Sequence, residues 1–144
     1  MDIIEHKNLD DYLEMIYTIS EEEAKGLART KELSERLGVY PSTVTETMQK
    51  LAERGLVVRI SYEGVKLTGA GRNYAMDILS RHRILECFFS QYLGMGSSDV
   101  KDEICGIEHH LSEEVLERLY VKLGKPKSCP HGKPIPVTWG EAHG

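Results

Sequence analysis

The stretch RTKELSERLGVYPSTVTETMQKLAERGLV, residues 29–57, constrains the fold more than any other part of the chain. Its apolar spacing predicts two short helices joined by a tight turn at Gly38-Val39. Leu33 and Leu37 are the inward positions of the first helix, and Val44, Met48 and Leu51 those of the second. Pro41 stands in the opening turn of the second helix, where its missing N–H costs nothing. At about 100° per residue, Ser42, Thr45, Glu46 and Gln49 fall on the opposite, outward face. Together with Thr43 they are candidate base readers, and Lys50 and Arg54 beside them are candidate phosphate contacts. The continuation LVVRISYEGVKLTGAGR holds two β-rich runs, Leu56–Ile60 and Val65–Thr68, separated by Ser61-Tyr62-Glu63-Gly64. That is a hairpin signal. Helix–turn–helix followed by a hairpin predicts a winged helix, with Tyr62 and Lys66 at the wing's tip or edge and within reach of DNA. Any small α+β domain can contain these pieces, but their order, the short loops and the basic balance favour the DNA-binding reading.

The net charge of -5 speaks against a nucleic-acid partner until it is divided along the chain. Residues 1–24 carry one base against eight acids, whereas residues 25–83 carry eleven against six. Residues 84–124 carry three against eight, and residues 125–144 three against one. A basic middle between acidic flanks suits a phosphate-facing surface, although a solvated face has the same composition. The acidic start has no apolar run, which predicts no secretory signal. No stretch approaches the roughly 20 apolar residues of a membrane helix. Cys87, Cys105 and Cys129 are odd in number and not framework-spaced, so the expected location is the reducing cytoplasm.

Ahead of the winged helix, Leu9, Tyr12, Leu13, Ile16 and Tyr17 form one helical stripe, with Asn8 as its expected N-cap. Asp11 and Glu14 are surface neighbours on that helix. After the wing, a long helix is expected from Gly71 to about Leu93, and another from Ser98 to about Leu123. Their apolar content predicts a homodimer, with Leu85, Phe88 and Phe89 contributing. The last twenty residues contain four of the five prolines and read as an extended tail. The expected divisions are residues 1–71, a winged helix–turn–helix; 72–124, a helical dimerisation and metal-binding domain; and 125–144, the tail. The fold class is mainly α with a small β-hairpin.

The stretch CGIEHHLS, residues 105–112, is the densest cluster of metal-binding side chains. On an α-helix Glu108 lies about -60° and His109 about +40° from Cys105, so the three converge, while His110 points away. Three ligands rarely complete a transition-metal sphere. Asp11, Glu14 and His82 are available to complete it, though each also has an ordinary surface role, and Cys105 could be a small core residue.

DDYLEMIYTI, VYPSTVTETMQKL, RHRILECF and CGIEHHLSEEVLERL together resemble, in this order, the metal-dependent repressors of the diphtheria toxin repressor and manganese transport regulator family. The resemblance covers nearly the whole chain. It implies a winged helix, a helical dimerisation and metal domain, and repression of metal-uptake genes switched on by Mn²⁺ or Fe²⁺ at a site between the two. The manganese-type ligand pattern falls on Asp11, Glu14, His82, Cys105, Glu108 and His109. Cys105 is the iron-type residue and Asp11 the manganese-type one, so the implied site is a hybrid. An iron-type ancillary site would use His82 and Glu86, but Lys101 stands where a further histidine is expected. The tail resembles the linker that leads, in longer members, to an SH3-like domain, and the two-domain form without that domain is expected here.

Three carboxylates against one thiolate favour Mn²⁺ over Fe²⁺, and the thiolate makes Zn²⁺, Co²⁺, Ni²⁺ or Cd²⁺ competent in vitro. Should the sulfur ligand not be Cys105, Cys129 beside His131 is the alternative. The expected partners are a second copy of the chain and palindromic double-stranded operator DNA, with no membrane. An enzyme is not expected, since no general base stands beyond the ligands themselves. The rival readings are an iron-type regulator, a winged-helix regulator responding to redox or a small ligand, and a small metalloenzyme.

Overall fold

The computed structural model describes residues 2–96, 103, 104 and 106–137, with residues 2–8 and 109 described by their backbone alone. In chain order the elements are α1 (Asp2–Glu22), α2 (Thr30–Leu37), α3 (Pro41–Glu53), β1 (Val57–Ile60), β2 (Gly64–Leu67) and α4 (Gly69–Leu93). A 3-10 turn at Glu108–His110 and a last helix, α5 (Glu113–Lys122), follow. The architecture is mainly α with one antiparallel two-stranded hairpin, as the sequence predicts. The chain divides within α4 into two compact units, Met1–Ala75 and Met76–Gly144. No helix among the described residues is long and apolar enough to cross a membrane.

In the first unit the α1 stripe of Leu9, Tyr12, Leu13, Ile16 and Ile19 is buried against Leu33, Val44, Met48, Leu51, Val57 and Val65. The helix begins at Asp2, so Asn8 lies inside it and does not cap it. Asparagine's cap preference is outweighed by a continuing helix at a cost of about 0.7 kcal/mol or less. Gly38 ends α2 in the left-handed conformation, φ 67°, and donates its N–H to the Ser34 carbonyl. That cap is open to glycine without steric cost and sets up the tight turn into α3. In the wing, Val57 pairs with Leu67, Val58 with Lys66, Arg59 with Val65 and Ile60 with Gly64. Ala28 also pairs with Val65. Gly64 is held at φ 137°, and a Cβ there would stand 2.4 Å from the Ala28 carbonyl oxygen, so no side chain fits. The Thr68 hydroxyl donates to the Gly55 carbonyl (2.7 Å) and accepts from the Gly71 N–H (3.0 Å), closing the wing onto the start of α4.

In the second unit Ile84 and Cys87 of α4 pack with Leu116, Leu123 and Ile135. Leu85 packs with Ile104. Leu85, expected at a dimer surface, is therefore spent on the chain's own core. Phe88 and Phe89 are half-buried in an edge-on pair at 5.8 Å, and beyond them Tyr92 and Leu93 are exposed.

The single helix expected from Ser98 to Leu123 is interrupted, and Ser98 itself lies outside the described residues. The backbone is helical at 103, 104, 106 and 107, tightens into the 3-10 turn, extends at Leu111 (φ -85°, ψ 133°) and restarts at Glu113. The restart has a local cause. The Ser112 hydroxyl accepts from the Val115 N–H at 3.2 Å, and Glu113 and Glu114 fill the first turn of α5, where acids favour the helix dipole. The apolar stripe does not run through: Ile104 is buried, whereas Val115 is half exposed. Residues 125–137 contain no helix but fold back, Ser128 pairing with Pro134 and Cys129 donating its N–H to the Lys133 carbonyl (2.8 Å). Cys129 and Ile135 are buried by this return.

Candidate metal centre and nucleic-acid interface

His82 and Glu86 lie one turn apart on α4 and therefore on one face. His82 Nε2 stands 2.7 Å from Glu86 Oε1, and its Nδ1 stands 3.2 Å from Glu108 Oε2. Both carboxylates are buried. A neutral imidazole has one N–H, so an imidazole facing carboxylates at both nitrogens is best served as the imidazolium. Burial pushes the His82 pKa down, but hydrogen bonds to Glu108 and Glu86 and their charges outweigh it and raise it to about 10. For Glu86, burial pushes upward, while His82 and His131 together hold the carboxyl below its ordinary value.

The second oxygen of Glu86 belongs to the returning tail. His131 Nδ1 lies 2.9 Å from Glu86 Oε2, and Cys129 Sγ lies 3.9 Å from that same nitrogen. One donor atom from each of Glu86, Cys129 and His131 lies within 4.8 Å of the others. Ligands at bond lengths of about 2.0–2.3 Å stand up to about 4.6 Å apart, so a small side-chain adjustment lets all three bind one ion. Carboxylate, imidazole and thiolate together suit a mid-to-late first-row divalent ion. Cys87 has a different character. Burial, then the neighbouring Cys129 and Glu86, push its thiol up, which makes it a core thiol.

The arginines flanking His82 hold the frame. Arg81 donates through Nε to Asp77 Oδ2 (3.0 Å) and through Nη1 to the carbonyls of Glu108 (2.9 Å) and Leu111. It thus satisfies backbone oxygens that the helix break leaves without helical partners. Arg83 donates to the Pro134 carbonyl and pins the tail.

The structure brings His82, Glu86 and Glu108 together. Asp11 and Glu14 are half-buried on α1 of the first unit. Cys105 lies outside the described residues, as does the side chain of His109. Glu108–His110 itself is a 3-10 turn and not the α-helix expected there. Cys129 and His131 are the partners that sequence reasoning held only as an alternative. Their signal was a thiol and an imidazole two residues apart in an otherwise proline-rich tail.

On the reading head, Ser42, Thr43, Thr45, Glu46, Gln49 and Lys50 of α3 are exposed, as are Arg54, Tyr62 and Lys66. The Thr45 hydroxyl donates to the Pro41 carbonyl (3.1 Å). Tyr62 is fully exposed at φ 61°. Three arginines of the basic middle are taken by the acidic run Glu21–Glu23 at and just beyond the end of α1: Arg29 by Glu23, Arg36 by Glu22 and Arg72 by Glu21. Arg54, Arg59 and Lys66 enter no ion pair among the described residues.

Residues 6–65 match the family model described as the iron dependent repressor N-terminal DNA binding domain, and residues 68–137 match its metal binding and dimerisation domain. An uncharacterised HTH-type transcriptional regulator of Methanocaldococcus jannaschii is 36% identical over 121 residues, covering 84% of this chain and 96% of that protein. The HTH-type transcriptional regulator MntR of Geobacillus kaustophilus is 38% identical over 112 residues, covering 78% of this chain and 77% of its own. A solved manganese-dependent transcriptional repressor in complex with manganese is 42% identical and superposes with a TM-score of 0.75, covering 90% of this chain. The chain spans 59% of the length of that solved protein. With both family domains matched in order and the winged helix and helical unit in place, the chain belongs to the iron-dependent repressor family of metal-dependent transcriptional regulators.

Proposed function

We propose that this chain is a cytoplasmic, metal-activated repressor that binds a palindromic operator as a homodimer and carries out no catalysis of its own. The observation that carries the reading is the buried Glu86 carboxylate, bracketed by His82 and His131 beside Cys129 in the unit that matches the metal-binding domain. Buried carboxylates are expensive unless paired or metal-bound. In the metal-free chain the His82 imidazolium supplies that pairing charge to Glu86 and Glu108. A bound Mn²⁺ or Fe²⁺ would supply it instead. A deprotonated His82 would then be one of the residues that hold the ion, and Asp11, Glu14, Glu108, His109 and Cys105 are the further ligands we propose. The donors also accept Zn²⁺, Co²⁺, Ni²⁺ or Cd²⁺ in vitro, with selection in the cell set by availability and geometry. Exposed Ser42, Thr43, Thr45, Glu46 and Gln49 then read bases, while Lys50, Arg54, Tyr62 and Lys66 contact the backbone.

An anaerobic titration of fluorescent operator with Mn²⁺, Fe²⁺ and Zn²⁺, followed by chelator, tests the reading. Metal is expected to raise DNA affinity and chelator to reverse it. Equal affinity with and without metal would remove the metal switch. The two thiols separate in the Co²⁺ form. A sulfur-to-metal charge-transfer band lost in Cys129→Ala but kept in Cys105→Ala places the sulfur donor in the tail, and the opposite pattern places it at Cys105.

A further inference from the structure

Arg59 departs from the pattern of its own strand. The register sets Val57, Arg59, Val65 and Leu67 on one face of the hairpin, with Val58 and Lys66 on the other. Val57 and Val65 are buried, so theirs is the face turned toward the helices of the first unit. Residue 59 sits on this inward face, where strand alternation calls for an apolar side chain, and it is an exposed arginine. Beyond the buried valines the face opens into a groove of about 580 Å³ between the wing, α3 and the head of α2. Thr30, Thr45, Arg59, Ser61, Tyr62 and Glu63 are among the residues that line it.

Arg29 also borders this groove, but its guanidinium is held by Glu23. The Arg59 side chain lines the groove and makes no ion pair or hydrogen bond among the described residues. The threonine and serine hydroxyls around it are further hydrogen-bonding groups. At the lip, Tyr62 is fully exposed in the left-handed conformation, which turns its ring away from the core.

We propose that this groove seats one strand of the DNA backbone, with a phosphodiester held by Arg59 and the Tyr62 ring as the outer wall of the seat. The inference rests on the DNA-binding reading above and adds the residue that docks the inward side of the wing. The Glu63 carboxylate also lines the groove, so a polyanionic strand is held at the Arg59 guanidinium, the side chain best matched to phosphate geometry. An inward charge on a short strand can also serve only to keep a sheet edge from pairing with other chains. That rival role predicts no effect on DNA.

The test uses the Mn²⁺-loaded full chain and a random-sequence duplex of about three helical turns, since phosphate contacts carry no sequence information. Arg59→Gln is expected to weaken binding about tenfold and to reduce the slope of log affinity against log salt by about 0.9, the value of one phosphate contact. Arg59→Lys should keep the slope. An unchanged slope in Arg59→Gln, with aggregation increased, overturns the proposal in favour of edge protection and leaves the repressor reading standing. Wild-type protein that binds no duplex at low salt overturns both. Should Arg59→Gln fail to fold, wild-type Arg59 is to be labelled with an arginine-specific dicarbonyl reagent and quantified by peptide mass spectrometry. Protection by the duplex supports the seat, and labelling that the duplex leaves unchanged overturns it.

Discussion

His131 Nδ1 lies 2.9 Å from Glu86 Oε2 across 45 residues of sequence, while His82 Nε2 holds the other oxygen of the same carboxylate at 2.7 Å. One buried side chain thus joins the long helix α4 to the returning tail. Glu86→Gln keeps the size but loses the charge and one acceptor oxygen. It is expected to lower metal affinity about 10- to 100-fold, the range seen when a supporting ligand contact is lost, measured by competition with a chromophoric chelator. Unchanged affinity would take Glu86 out of the donor set.

The His82 pKa, raised from 6.5 to about 10, makes stability pH-dependent in the metal-free chain. The folded state binds its proton more tightly than the unfolded state does. The stabilisation is therefore complete below about pH 6.5 and is lost as pH rises through about 10. The melting temperature in chelator should fall across that window, and His82→Asn should flatten the fall. Metal binding at neutral pH should release a proton, detectable as a dependence of the binding enthalpy on buffer ionisation. A melting temperature independent of pH up to 10 would contradict the imidazolium bridge.

Ser112 starts α5 by accepting the Val115 N–H. Ser112→Ala should cost about 1 kcal/mol, read as a lower denaturant midpoint with an unchanged slope, and Ser112→Asp should restore it. A neutral Ser112→Ala would mean that the helix break is held by Arg81 alone.

Arg81, its side chain 13% exposed, closes two backbone carbonyls at the break and pairs with Asp77. Arg81→Gln should destabilise the chain by about 1–3 kcal/mol by leaving carbonyls unsatisfied. It should also weaken metal binding by loosening Glu108. Arg81→Lys, with one compact ammonium in place of a fork, should recover only part of each effect. Stability lost with metal affinity intact would make Arg81 a structural residue only.

The sequence by itself determined the elements whose apolar period is tied to a nearby core. Leu33, Val44, Met48 and Leu51 are buried, and Ser42, Thr45, Glu46 and Gln49 exposed, because a helix turns 100° per residue whatever surrounds it. The hairpin was legible for the same reason, from two short β-rich runs around a turn. His82 and Glu86 are neighbours by helical spacing alone.

Other features were decided only by tertiary structure. Ile104, Ile107, Leu111 and Val115 keep a helical period through a helix that stops and restarts, because Ser112 and Arg81 satisfy the backbone at a break that periodicity cannot register. Leu85 reads as surface apolar area until Ile104 covers it. The pairing of Glu86 with His131 depends on where the tail returns after α5, and no local propensity encodes a contact 45 residues away. Arg59 reads as one more cation of a basic segment. Strand register alone turns it toward the groove, because a shift of one residue would have placed it on the outer face.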